Sequence, residues 1–132
     1  MRSAFLVEDN PSARSALISA LAEAADTGVV GWAESEIDAI AWLEAHPGEA
    51  DVVVLDLFLN AGSGLGVLAR LKNLAGNHHI VVLTNCATSL LRRSCLLLGA
   101  EAVYDKAGDL ELFFSHCRSI PIAPAEADPA AG

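Results

Sequence analysis

Positive charge is scarce in this chain. Eight Lys and Arg stand against 17 Asp and Glu, a formal net charge of −9 over 132 residues. That balance excludes a direct nucleic-acid binder, which needs a basic footprint, and a protein that docks on anionic lipid. Aromatics are only 5% of the residues, so a core must be built from Ala, Val and Leu. No apolar run is long enough to span a bilayer. Glu8 and Asp9 interrupt the first apolar run too early for a secretory leader, so a cytoplasmic protein is expected. Cys86, Cys95 and Cys117 are odd in number and widely spaced. They lack zinc-site spacing and read as reduced, mostly buried thiols.

What the chain has in quantity is short apolar runs ending on chemistry. Asp51-Val52-Val53-Val54-Leu55-Asp56 is a buried strand that emerges on a carboxylate. Alone, Asp56 could equally be a helix cap or a loop acid. Three further runs end the same way. Ala4-Phe5-Leu6-Val7 leads into Glu8-Asp9, Ile80-Val81-Val82-Leu83 into Thr84, and Ala102-Val103-Tyr104 through Asp105 into Lys106. Open α/β sheets bind ligands at the carboxyl ends of their strands.

Between these runs lie helix-like stretches. Strands are expected at 3–7, 29–33, 51–56, 79–83 and 101–104. Asn10 and Pro11 start a first helix, as N-cap and first helical residue, that runs to Ala25 with Ala13, Leu17, Ala20, Leu21 and Ala24 inward. Ser35 caps a second to Ala45, its stripe Ile37, Ile40, Ala41 and Leu43, stopped by His46-Pro47-Gly48. A glycine-rich loop, 60–64, leads into a third ending near Leu74; a fourth spans 88–98 and a fifth 109–119. Strand–helix alternation repeated five times gives one domain, residues 1–120, with a parallel sheet and helices on both faces. Residues 121–132 read as a disordered Pro/Ala-rich tail. No second domain or output module is expected.

Such a sheet brings Glu8, Asp9 and Asp56 together. Three adjacent carboxylates repel unless a hard cation such as Mg2+, or the Lys106 ammonium, relieves them. Acids, a hydroxyl and a lysine in one crevice suit phosphoryl transfer, and an Asp carboxylate can be the nucleophile. The bland readings go elsewhere. Gly62-Ser63-Gly64-Leu65-Gly66 lacks dinucleotide-loop spacing. His78, His79 and His116 read as surface or strand-edge histidines, and Arg70, Arg92 and Arg93 as solvated helix-face residues.

The set Glu8-Asp9, Asp56, Thr84, Lys106 resembles the receiver domain of two-component response regulators, of the chemotaxis-regulator type. Val7-Glu8-Asp9-Asn10-Pro11, Val53-Val54-Leu55-Asp56-Leu57, Gly64-Leu65-Gly66-Val67-Leu68, Val82-Leu83-Thr84 and Leu98-Gly99-Ala100 support it. The resemblance implies a flavodoxin-like, doubly wound five-stranded parallel sheet of order 2-1-3-4-5. It implies Asp56 as phosphoacceptor, Asp9 as a direct Mg2+ ligand, Glu8 acting through water, and the Phe58 main-chain carbonyl as a further ligand. Thr84 and Lys106 would bind the phosphoryl group. The donor would be a histidine kinase or phosphotransfer protein, and the protein a signalling switch, not an enzyme. Its output surface would be the fourth helix, fifth strand and fifth helix, where Leu90, Leu91, Leu96, Leu97 and Leu98 suggest a partner or homodimer contact.

Some positions depart from that pattern. Val103 stands where the family carries its switch aromatic, and Tyr104 follows it. Ala107 replaces a proline associated with a cis bond. Asn85 and Phe58 are large residues beside the site, implying slower loss of the phosphoryl group. A phosphorylation-independent receiver-like binding module is the alternative. Phe58 also argues against an Asp-nucleophile phosphatase, which needs a second acid there.

Overall fold

The inner strands of this protein are apolar on both sides because both sides are covered. The computed structural model describes residues 1–74, 79–85 and 87–122. Its elements are β1 (Arg2–Val7), α1 (Pro11–Ala25), β2 (Thr27–Ala33), α2 (Glu36–Ala45), β3 (Val52–Leu55), α3 (Gly64–Leu71), β4 (His79–Thr84), α4 (Ser89–Leu97), β5 (Ala102–Asp105) and α5 (Leu110–Ser119). The strands form one parallel sheet in the order β2-β1-β3-β4-β5. The expected fold class and strand order are therefore met.

Alternate residues feed two cores. Phe5, Val7, Val53, Leu55, Val82 and Val103 face α2, α3 and α4. Ala4, Leu6, Val52, Val54, Val81 and Leu83 face α1 and α5, where Leu21, Phe113 and Cys117 meet them. Burying each larger aliphatic or aromatic side chain is worth about 1.5–3 kcal/mol. Cys95 and Cys117 are free and buried, and burial pushes the Cys117 thiol up to about 12. Cys86 and His78, like the tail beyond Ile122, lie outside the described residues.

The caps follow the sequence closely. The Asn10 side chain accepts from the Ala13 amide at 2.9 Å, with Pro11 in the first turn. Asp26 closes α1 in the left-handed region, φ 48°. That tight cap lets β2 begin at Thr27, earlier than expected. Ser63 and Thr88 cap α3 and α4 through their hydroxyls. α3 stops at Leu71 rather than near Leu74.

The stripe expected on α2 is corrected. Ile37 is 80% exposed and Ala41 exposed, whereas Ala39 and Leu43 are buried. Trp42 sets the helix rotation. Its ring stacks on Phe5 at 4.2 Å and on His46 at 4.3 Å. Gly31 makes room for it, since a Cβ there would lie 2.7 Å from the indole nitrogen.

In this order the chain winds away from β1 on one side and from β3 on the other. The reversal between them opens a crevice at their carboxyl ends. Glu8 and Asp9 leave β1 there, and Asp56 leaves β3.

Candidate functional site

The crevice is a cleft of about 300 Å3 lined by Glu8, Asp9, Asn10, Ala13, Asp56, Phe58, Asn85 and Lys106. Asp56 is held on every side. Its Oδ1 accepts from the Thr84 hydroxyl at 3.0 Å and from the Phe58 amide at 3.2 Å. Its Oδ2 accepts from Lys106 Nζ at 3.0 Å. Lys106 also donates to Glu8 Oε1 at 2.5 Å. One ammonium thus bridges two carboxylates whose side chains are only 5% and 11% exposed.

Burial opposes the charge on both partners. It raises the Glu8 carboxyl above the ordinary range, and the Lys106 bond only partly offsets this. Burial also works to discharge Lys106, but its bonds to Glu8 and Asp56 prevail and raise its pKa. The cluster holds one positive against two negative groups, so resistance to ionisation falls on Glu8.

Local backbone fixes these positions. Gly64 lies against Asp56, and a Cβ there would stand 2.1 Å from the Asp56 carbonyl oxygen. The start of α3 therefore closes on the turn after β3 only because residue 64 is glycine. Glu36 ties the same turn to α2, accepting from the Ser63 amide at 2.8 Å. The Lys106 amide donates to the Thr84 carbonyl at 3.0 Å, joining the ends of β4 and β5. The Glu8 carbonyl accepts from Arg14 at 3.0 Å, and Arg14 pairs with Glu34 at 2.8 Å.

Every expected site residue reaches the crevice, though not in the arrangement expected. The three acids line the one cleft, but among the described residues no three His, Cys, Asp or Glu side chains are grouped to hold one metal ion by themselves. Lys106 stands between Glu8 and Asp56, and Asp9 Oδ2 accepts from the Asn60 amide at 2.6 Å. The donors present are hard oxygens on one cleft, the chemistry that suits Mg2+. Thr84 is wholly buried and Phe58 is 56% exposed.

Other expectations need correction. Arg92 is partly solvated, its side chain 38% exposed, but it is also tied down: it donates to Ala87, Val103 and Asp109. His79, at the start of β4, and His116 are partly exposed, as expected of surface or strand-edge histidines, but Glu101 joins them at 2.6 and 2.7 Å, and His116 meets the Tyr104 hydroxyl at 2.8 Å. Burial opposes the Glu101 charge, yet those two histidine bonds lower its pKa. Nothing in the local sequence flags either network, since each joins residues from different elements. Val103 is buried on the α4 side while Tyr104 packs on the α5 side, so β5 offers no aromatic to α4. Among the described residues no peptide bond is cis, that of Lys106 and Ala107 included.

The model of the response regulator receiver domain family matches residues 4–117. The chain belongs to this family. It is a receiver domain of two-component signalling, and its fold recurs in solved receivers. One is a LuxR-family DNA-binding response regulator from Staphylococcus aureus, 19% identical, TM-score 0.80, covering 91% of this chain and 98% of that one. Another is the phosphorylated cyanobacterial phytochrome response regulator RcpA, 27% identical, TM-score 0.70, covering 90% of each chain. A third is the CheX–CheY–BeF3–Mg2+ complex from Borrelia burgdorferi, 18% identical, TM-score 0.76, covering 87% of this chain and 88% of that one. Among the described residues no helix of this receiver is long and apolar enough to cross a membrane.

Proposed function

We propose that this receiver accepts a phosphoryl group on Asp56 from a phosphohistidine of a histidine kinase or phosphotransfer protein. The observation that carries the reading is the division of labour on one carboxylate: Thr84 and Lys106 each hold a different oxygen of Asp56. In the transfer, an Asp56 oxygen attacks phosphorus, the P–N bond breaks, and its electron pair leaves with the imidazole. Lys106 Nζ and the Thr84 hydroxyl then pair with phosphoryl oxygens as charge grows on them.

Asp9, Asp56 and the Phe58 main-chain carbonyl are the ligands we assign to Mg2+, with Glu8 acting through water. An ion held there would supply charge neutralisation for the transferring group. The Asn60 amide takes one oxygen of Asp9 and leaves the other available to the ion. The Mg2+ named in the Borrelia complex supports this assignment. Phe58 and Asn85 line the cleft beside Asp56 and would slow hydrolysis of its aspartyl-phosphate by limiting water.

The output is protein contact through α4, β5 and α5. Leu90, Leu96 and Leu97 are 74%, 52% and 72% exposed, more apolar surface than a solvated helix needs. We assign that face to a downstream partner or a second copy. The net charge of −9 argues against direct nucleic-acid contact, and residues 1–120 act as one cytoplasmic signalling domain.

The reading is tested by Mg2+ titration followed calorimetrically. We expect saturable binding by the wild-type chain and at least a tenfold weakening in Asp9→Asn, in line with loss of a direct ligand. Equal affinity in the two proteins would remove Asp9 from the metal site.

A further inference from the structure

Thr84 ends β4 and Lys106 follows β5, and one side chain outside the cleft holds the segments after both strands. Arg92 of α4 donates through Nε to the Ala87 carbonyl at 3.1 Å, in the loop after β4. Its Nη1 donates to the Val103 carbonyl of β5 at 2.6 Å. Its Nη2 donates to Asp109 Oδ2, at the start of α5, at 3.1 Å. The same Asp109 oxygen accepts from the Asp105 amide at 2.9 Å. The Asp105 carboxylate reaches back across the gap, accepting from the Ala87 amide at 3.2 Å and the Ala107 amide at 2.8 Å. A planar guanidinium with a fixed fork of donors suits three acceptors on three elements; an ammonium does not.

On β5, Asp105 makes the only other such link among the described residues. Val103 is short, and Tyr104 turns to the opposite face, where its hydroxyl meets His116.

We propose that the Arg92–Asp109 clasp transmits the state of Asp56 to α4. The proposal rests on Asp56 being the phosphoacceptor. A phosphoryl group there offers Thr84 and Lys106 new acceptors. The carboxyl ends of β4 and β5 shift, and Arg92, bonded beside both, takes α4 and its exposed Leu90, Leu96 and Leu97 with it. Arg92 is a positioning residue: it touches no reacting atom. Coupling of this kind needs a physical element that both sites bias.

Beryllofluoride with Mg2+, titrated into the full chain and followed by amide NMR shifts, tests this. In the wild type, shifts are expected around Asp56, Thr84 and Lys106 and also along α4. In Arg92→Met the site shifts persist, while α4 shifts fall by about half or more. Asp109→Asn gives the same split, and the double variant falls no further than the more affected single one. If Arg92→Met does not fold, Asp109→Asn carries the test alone. Full-sized α4 shifts in a folded variant, or a silent α4 in the wild type, overturn the clasp and leave the phosphoacceptor reading standing. No shift around Asp56 in the wild type overturns both.

Discussion

Replacing Lys106 with Met should cost this protein stability through charge rather than packing. Met keeps most of the apolar stem and removes the ammonium that bridges Glu8 and Asp56 at 2.5 and 3.0 Å. Two carboxylates, 5% and 11% exposed, then face each other without a cation. Removing one partner of a buried ion pair costs about 3–5 kcal/mol. Lys106 is itself 22% exposed, so water screens part of this, and about 2–3 kcal/mol at pH 7 is the expected loss. At roughly 4 °C per kcal/mol for a domain of this size, Tm should fall by about 8–12 °C. Urea denaturation at pH 7 and pH 5 gives the assay. The loss should be smaller at pH 5, where protonation of one carboxyl relieves the repulsion, and smaller again with Mg2+. Lys72→Met, at an exposed position, is the control and should stay within about 0.5 kcal/mol of wild type. A loss at Lys106 no larger than that control, or equal at both pH values, would refute the reasoning.

The raised Glu8 carboxyl makes a signed prediction. Burial favours its protonated form in the folded state, so stability falls as pH rises from the ordinary value of 4.5 through the raised one. Glu8→Gln should remove that fall, and its advantage over wild type should grow across the same window in urea titrations; a constant difference would show that Glu8 does not titrate there. Gly64→Ala would drive a methyl to 2.1 Å from the Asp56 carbonyl oxygen, costing about 3 kcal/mol or preventing folding, as thermal melts would show. Arg2 donates to the carbonyls of Ala25, Arg118 and Ile120, where α1 and α5 end; Arg2→Ala should cost about 1–3 kcal/mol in urea denaturation with little effect on Mg2+ affinity.

Much of this was readable in the chain because local physics and the fold agree. Continuous apolar runs mark doubly covered strands, and the residues that end them mark the functional edge. Asn10-Pro11 and Ser35 carry their cap chemistry in their own side chains. What escaped the sequence depends on partners far along the chain. The face of α2 turned on Trp42 meeting Phe5 through the space left by Gly31, not on its own periodicity. Ile37 looked like a core residue and is exposed. Arg92 looked like a surface cation because its acceptors are two backbone carbonyls and one acid 17 residues away. The acids were correctly drawn to one crevice, but only coordinates reveal that Lys106 and the Asn60 amide already occupy them.

The central claim is that Asp56 is the residue that takes the phosphoryl group. Intact-mass analysis after treating the chain with acetyl phosphate and Mg2+ tests it directly, beside Asp56→Ala and a metal-free control. The account predicts one phosphoryl adduct that needs Mg2+ and is absent from Asp56→Ala. An adduct that survives in Asp56→Ala, or a folded wild-type chain that takes no phosphoryl group, would contradict it.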